Sequence, residues 1–388
     1  MQLRRPRPKE PRFPPPEAPY HGIVEGFYWH AECAVERQYG EFDHEQRLAL
    51  IEFMGKKGLN TYAYDPKVLR GENFERAYSR DAIGNPSDWR DTFKVADQAG
   101  VQFLWGLAPG RSEFWIPQEK KLIDVMNYLL DLGAHGFILL FDDVAGAATR
   151  NEIEEKVKLV NKLFNHFGDR IVAICPGRYY GGVNILDTAL DHIEWYIPNR
   201  ISLILTGTTI WMRSLATRAE ESHPEAPHFP KLDKMRNNKC EADNSLNRQL
   251  IAWDNWVATD SDDPKRLDLR PPNERSPRLF CDHQGYLLNP CFPVERIVPM
   301  VSAVAEMLKQ SRHHKGPRSP DPELLLDTMA EDWADFLGKE SYRGPLRHLL
   351  AIRNGEEIRP MEAEDYNGVC EKWPSLRPVF ETVDESKV

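Results

Sequence analysis

The stretch GFILLFDDV, residues 136–144, places five consecutive apolar residues, Phe137 to Phe141, directly before two adjacent carboxylates, Asp142 and Asp143. The run is short, contains aromatic and β-branched residues and follows DLGAHG, so it reads as a strand buried on both faces rather than as a helix segment. A single aspartate after such a strand is an ordinary turn or capping residue. Two in that place point further, to a catalytic carboxylate pair at the carboxyl end of a barrel strand.

The same alternation of a short apolar run and a helix-periodic segment extends in both directions. Upstream lie GIVEGFY (22–28), then HEQRLALIEFMGKKG (44–58) with Gly58 as a helix C-cap, TYAYDP (61–66), a helix around SDWRDTFKVADQAG with Ser87 as its N-cap, VQFLWGLAPG, and EKKLIDVMNYLLDLGAHG. Downstream lie NEIEEKVKLVNKLFNHFG, RIVAICPGRYYGG, NILDTALDHIEWYIP and ISLILTG; after a long polar passage come LIAWDNW (250–256), GYLLNP (285–290) and VERIVPMVSAVAEMLKQSR. Eight such units predict an α/β fold, a (β/α)8 TIM barrel over residues 20–312. Residues 1–19 read as a disordered Pro/Arg-rich leader. Residues 313–388 read as a linker and a small C-terminal helical segment, with helices at ELLLDTMAEDWADFLG and PLRHLLAIRNGEE.

Bulk properties exclude several classes. Of the 388 residues 41% are hydrophobic and 28% charged, and no apolar stretch reaches the roughly 20 residues of a membrane span. The net charge of −10, with both signs interspersed, lacks the basic stripe of a nucleic-acid binder. The six cysteines show no CxxC pair, which excludes a zinc ribbon and a disulfide scaffold. A metal at His30 and Cys33 lacks a further ligand cluster nearby. The leader has no apolar core of a signal peptide, so a cytoplasmic protein is expected.

In a TIM barrel the active site lies at the carboxyl ends of the strands. Here those ends read Glu25-Gly26-Phe27-Tyr28, Tyr64-Asp65-Pro66-Lys67, Asp142-Asp143, Tyr179, Thr206-Gly207, Trp253-Asp254-Asn255 and Asn289. Carboxylates and amides suit ring hydroxyls and an indole offers an apolar wall, so the set is sugar-like. Two adjacent aspartates on extended backbone point different ways and cannot easily flank one glycosidic bond as acid and nucleophile. They do suit a substrate-assisted scheme, in which the sugar's 2-acetamido oxygen attacks the anomeric carbon, one Asp orients that amide and the other protonates the leaving group.

GIVEGFYW, EQRLALIEFMGKKGLNTYAYDPK, FILLFDDV, AWDNWVATD and YLLNP together resemble the catalytic domain of the β-N-acetylglucosaminidases of glycoside hydrolase family 84, which includes the protein O-GlcNAcases. The resemblance implies a retaining exo-β-N-acetylglucosaminidase that works without metal or other cofactor on a β-GlcNAc-bearing protein or glycan. Carried over by motif, Asp142 would orient the acetamido group and Asp143 would be the general acid/base. Gly26 would present backbone to a sugar hydroxyl and Lys67 would bind a hydroxyl or carbonyl. Tyr179 would hydrogen-bond the acetamido oxygen, Trp253 would wall the acetamido pocket, and Asn255 would bind the acetamido group or nearby hydroxyls. Asp260 would grip the 4- and 6-hydroxyls and Asn289 would hold the 4-hydroxyl. Cys175 and Thr206 match family positions near the pocket, or serve as core and turn residues.

The chain departs from the family in WHAECAVERQYGEFD, a longer loop after the first strand, in VLRGENFERAY after Lys67, and in PGRYYGG where a Thr-Glu pair is common. These changes bear on the leaving group. The competing readings are a GlcNAc-binding pseudoenzyme and an enzyme acting on a polymer such as hyaluronan. The repulsion between two adjacent carboxylates predicts a bell-shaped pH–rate profile. The C-terminal helical segment could pair with a second copy.

Overall fold

The structure, a computed structural model, describes residues 19–26, 42–65, 79–110, 116–142, 150–177, 179, 197–198, 200–206, 249–257, 275, 279–291, 293–312, 319–353 and 363–381. Its strands are β1 (Tyr20–Glu25), β2 (Thr61–Tyr64), β3 (Gln102–Leu107), β4 (Gly136–Leu140), β5 (Ile171–Cys175), β6 (Ser202–Leu205), β7 (Leu250–Asp254) and β8 (Gly285–Leu288). They pair in parallel in sequence order, and β8 returns to β1 to close the barrel. The predicted TIM barrel is the observed one.

The strands are shorter than their apolar runs predicted, because the residues beyond them belong to the rim. Several rim residues add one more ladder bond: Asp65 N–H donates to Glu25 O (2.9 Å), Phe141 N–H to Cys175 O (2.9 Å) and Asn289 N–H to Asp254 O (2.8 Å). This extra bond holds the rim backbone as firmly as the strands beneath it.

Helices α1 (His44–Lys56), α2 (Pro86–Ala99), α3 (Glu119–Leu132), α4 (Arg150–Phe167), α5 (Leu279–Asp282) and α6 (Val294–Ser311) accompany the strands. A capping box starts α1: Asp43 Oδ1 accepts from Gln46 N–H (2.8 Å) and Gln46 Oε1 from Asp43 N–H (3.1 Å). The N-cap of α2 is Asn85, not Ser87 as predicted. Pro86 takes the first helical position, where a missing N–H costs nothing, and the Asn85 side chain accepts from Ser87 N–H (3.1 Å). Lys57 caps the end of α1, and Gly58 follows with the left-handed φ of 77° that glycine tolerates best. The helix predicted at NILDTALDHIEWYIP falls almost wholly outside the described residues.

After the barrel come α7 (Pro322–Phe336), α8 (Arg343–Arg353), α9 (Ala363–Lys372) and α10 (Arg377–Glu381). The first two were predicted. The last two were not, because Asn367 and Gly368 are poor helix formers in the middle of α9 and α10 is barely more than a turn. These helices pack on α1 and α6. Asp332 accepts from Lys57 and from Ser302, Phe336 meets Phe53 edge-on at 5.8 Å, and Arg296 donates to Ser375 O. Among the described residues no helix is long and apolar enough to cross a membrane.

One buried histidine ties β1 to α5. His21 Nε2 bonds Phe280 O at 3.1 Å, and burial, reinforced by the Arg312 charge, lowers its pKa from 6.5 to about 4. The unfolded chain therefore binds a proton between pH 6.5 and 4 that the folded chain refuses, so stability is lost as pH falls through that window. Wild type should lose about 2 kcal/mol more than His21→Gln between pH 7 and pH 5, read from urea midpoints. Equal declines in the two proteins would overturn this assignment.

Candidate active site

Several strand ends carry neighbouring polar residues, and side chains alternate between lumen and helix layer. On the helix side, Tyr64 packs against Trp89 of α2 (5.0 Å) and Phe137 against Phe167 of α4 (5.7 Å). Lys156 of α4 lies over the Phe141 ring at 5.4 Å. On the lumen side, a methyl group placed on Gly106 would meet Leu140 Cδ1 at 2.9 Å and Asp65 Cα at 3.1 Å. Asp65, Leu140 and therefore Asp142 face inward.

This parity divides the rim into two sets. Glu25, buried to 1% exposure, turns outward. It accepts from Arg47 Nε (3.0 Å) and Nη2 (2.9 Å), from Phe42 N–H (2.8 Å) and from the Tyr62 hydroxyl. Burial and the Glu25 charge hold the Tyr62 phenol well above its ordinary pKa, so it stays a donor. The Arg47 guanidinium lies against both the Tyr64 and the Trp89 ring, at 4.9 and 5.0 Å. Asp254 repeats the pattern: Arg275 donates to both its oxygens (2.9 and 3.1 Å), the Tyr286 hydroxyl to Oδ2 (2.6 Å), and Trp256 N–H to Oδ1 (3.0 Å). Glu25, Tyr64 and Asp254, which stood among the strand ends but were given no role in the pocket, thus belong to the wall. A cavity of about 280 Å³ lies behind this wall, between Phe42, Arg47, Tyr64, Trp89 and Trp105. Arg47, which lines it, is already committed to Glu25.

The inward set is the candidate active site. A methyl group on Gly26 would sit 3.1 Å from Trp253 Cζ2 and 3.2 Å from Asp65 Oδ2, so glycine opens a gap between an indole edge and a carboxylate. Along the same edge of that indole, Trp253 Nε1 donates to Asn255 Oδ1 (2.7 Å), and Asn289 Nδ2 donates to the same oxygen (2.8 Å). The indole N–H can only donate, which forces the Asn255 oxygen toward it and in turn forces Asn289 to offer its nitrogen. The Asn289 oxygen is left buried, with no hydrogen-bond partner among the described residues. A buried acceptor left unmade costs about 1–3 kcal/mol, a cost a bound hydroxyl would recover.

Of the other predicted site residues, Asp142 is buried, and Cys175 ends β5 opposite Leu140, its carbonyl held by Phe141 N–H. Thr206 N–H donates to Tyr179 O at 3.0 Å, which pins the tyrosine's backbone to the end of β6. Asp143, Lys67 and Asp260 lie outside the described residues, as do His30 and Cys33. Among the described residues no group of three or more His, Cys, Asp or Glu is placed to hold a metal ion.

Sequence reasoning missed Gly106, whose lumen face lies too close to Leu140 and Asp65 to carry a side chain, and gave no role to Asp65. For Asp65 position was the available signal, since it occupies a strand end two residues before Lys67, which was singled out.

A sequence profile of the family described as beta-N-acetylglucosaminidase matches residues 21–324. The protein O-GlcNAcases of Rattus norvegicus and Mus musculus are each 24% identical over 286 residues, covering 69% of this chain and 28% of theirs. The chain therefore spans little more than a quarter of the length of these relatives. A mutant of the Thermobaculum terrenum O-GlcNAc hydrolase shares the fold, with a TM-score of 0.66 at 20% identity, over 94% of this chain and 73% of that one.

Proposed function

Because the chain belongs to the β-N-acetylglucosaminidase family of glycoside hydrolases, we propose that it removes terminal β-linked GlcNAc with retention of configuration, using the substrate's own acetamido group as nucleophile. The reading is supported above all by the Trp253–Asn255–Asn289 chain, which links an indole to a buried acceptor oxygen. That combination suits a pyranose, with a hydroxyl for the oxygen and an apolar group for the ring.

In this scheme the acetamido oxygen forms a bond to the anomeric carbon as the bond to the leaving oxygen breaks. Asp142 accepts the acetamido N–H and stabilises the charge that develops on the resulting oxazoline. Asp143 delivers its proton to the leaving oxygen, then removes one from the water that opens the ring, which restores both carboxyls to their starting states.

Hydrolysis of an aryl β-N-acetylglucosaminide followed by proton NMR tests this. The β-anomer of GlcNAc should appear first, and a thiazoline-type mimic of the cyclised intermediate should bind at least about 100-fold more tightly than GlcNAc. An α-anomer appearing first would overturn substrate assistance. GlcNAc binding with no turnover would make the chain a sugar-binding descendant of the fold, and preference for a long polymer over a terminal residue would make it a polymer hydrolase.

A further inference from the structure

We propose that Asp65 contacts the substrate, accepting a hydrogen bond from the 3-hydroxyl of the bound sugar. The inference rests on the GlcNAc reading above and adds to it a specificity-determining residue.

Asp65 is 3% exposed and its backbone is fixed to β1 through Glu25 O. Register pairs Glu25 with Tyr64 and Tyr64 with Trp105, so one residue further on Asp65 lies between Gly26 of the β1 end and Gly106 of β3. Both neighbours lack a side chain on the lumen face, and a methyl group on either would crowd Asp65 itself: 3.2 Å from its Oδ2 at Gly26, 3.1 Å from its Cα at Gly106. The acids that build the wall, Glu25 and Asp254, do the opposite and point outward onto arginines. A carboxylate set inward, with a glycine on each side of it in the same layer, is shaped to meet something in the lumen.

Its position picks the hydroxyl. The indole N–H of Trp253 is held by Asn255, and the Cζ2–Cη2 stretch of the same indole edge adjoins Gly26, with Asp65 across the gap. If Trp253 walls the acetamido group on C2, the ring hydroxyl that falls next to its edge is the vicinal one, on C3. A carboxylate there accepts that hydroxyl's only proton in a charge-assisted bond.

The test compares wild type, Asp65→Asn and Asp65→Ala on an aryl β-N-acetylglucosaminide and on its 3-deoxy counterpart, with GlcNAc and 3-deoxy-GlcNAc affinities measured by calorimetry. Asp65→Ala should lower kcat/KM about 10- to 100-fold on the parent substrate and less than about 3-fold on the 3-deoxy substrate. Asp65→Asn, which keeps an acceptor, should fall between. Equal losses on both substrates would mean a structural role, and no loss would remove Asp65 from the pocket; either overturns the proposal. Should wild type not turn over, the enzymatic reading fails while the same pattern in the two dissociation constants still decides whether Asp65 holds the 3-hydroxyl.

Discussion

Asp142→Asn is expected to lower kcat by about 10²- to 10⁴-fold on aryl β-N-acetylglucosaminides whatever the basicity of the leaving group. Asp142 extends the inward-facing line of Leu140 at the end of β4 and is buried, so its charge acts in a medium that screens poorly. Asparagine is nearly isosteric and still offers an oxygen to the acetamido N–H. What it lacks is the negative charge that stabilises the cationic character of the cyclising amide, a contribution made in the transition state more than in the bound substrate. Asp143→Asn should behave differently, losing poor leaving groups far more than good ones, since only the former need a proton to depart. A loss below about 10-fold for Asp142→Asn, or one that tracks leaving-group basicity, would mean that the two roles are reversed or absent.

Arg47→Met is expected to destabilise the fold by about 3–5 kcal/mol, read from urea or thermal unfolding. Methionine matches much of the length of the stem, so the change removes charge more than volume. It strands the Glu25 carboxylate behind β1 with only Phe42 N–H and the Tyr62 hydroxyl to solvate it. It also removes the cation that lies against Tyr64 and Trp89, where each contact adds roughly 0.5–2 kcal/mol. Glu25→Gln in the same chain should recover much of the loss, because the cost of breaking a buried pair is mainly that of the charge left behind. A single variant within about 1 kcal/mol of wild type would show that water reaches Glu25. The pair matters to the pocket because Glu25 and Tyr64 immediately precede Gly26 and Asp65, so the outer bonds hold the inner residues in place.

Much of this was legible in the chain itself. Eight short apolar runs spaced by helix-periodic segments can bury their surface only as a parallel sheet covered by helices, which determined the closed barrel. The functional end followed too, since polar residues at the carboxyl end of a wholly buried strand have few structural reasons to be there. Trp253, Asn255 and Asn289 were picked out by type and position, and the structure brings them into one hydrogen-bonded chain.

The family resemblance had pointed to Gly26 and Asn255, but beyond that resemblance only the tertiary structure decided which member of each terminal pair enters the lumen. In Glu25-Gly26, Tyr64-Asp65 and Asp254-Asn255 the more conspicuous polar or aromatic residue faces the helices and its neighbour faces the pocket. A strand buried on both faces shows no polar and apolar alternation from which its phase could be read. That phase comes from barrel closure and strand register, which turn alternate side chains outward, and from Arg47 on a helix and Arg275 between β7 and β8, far along the chain from the acids they bind.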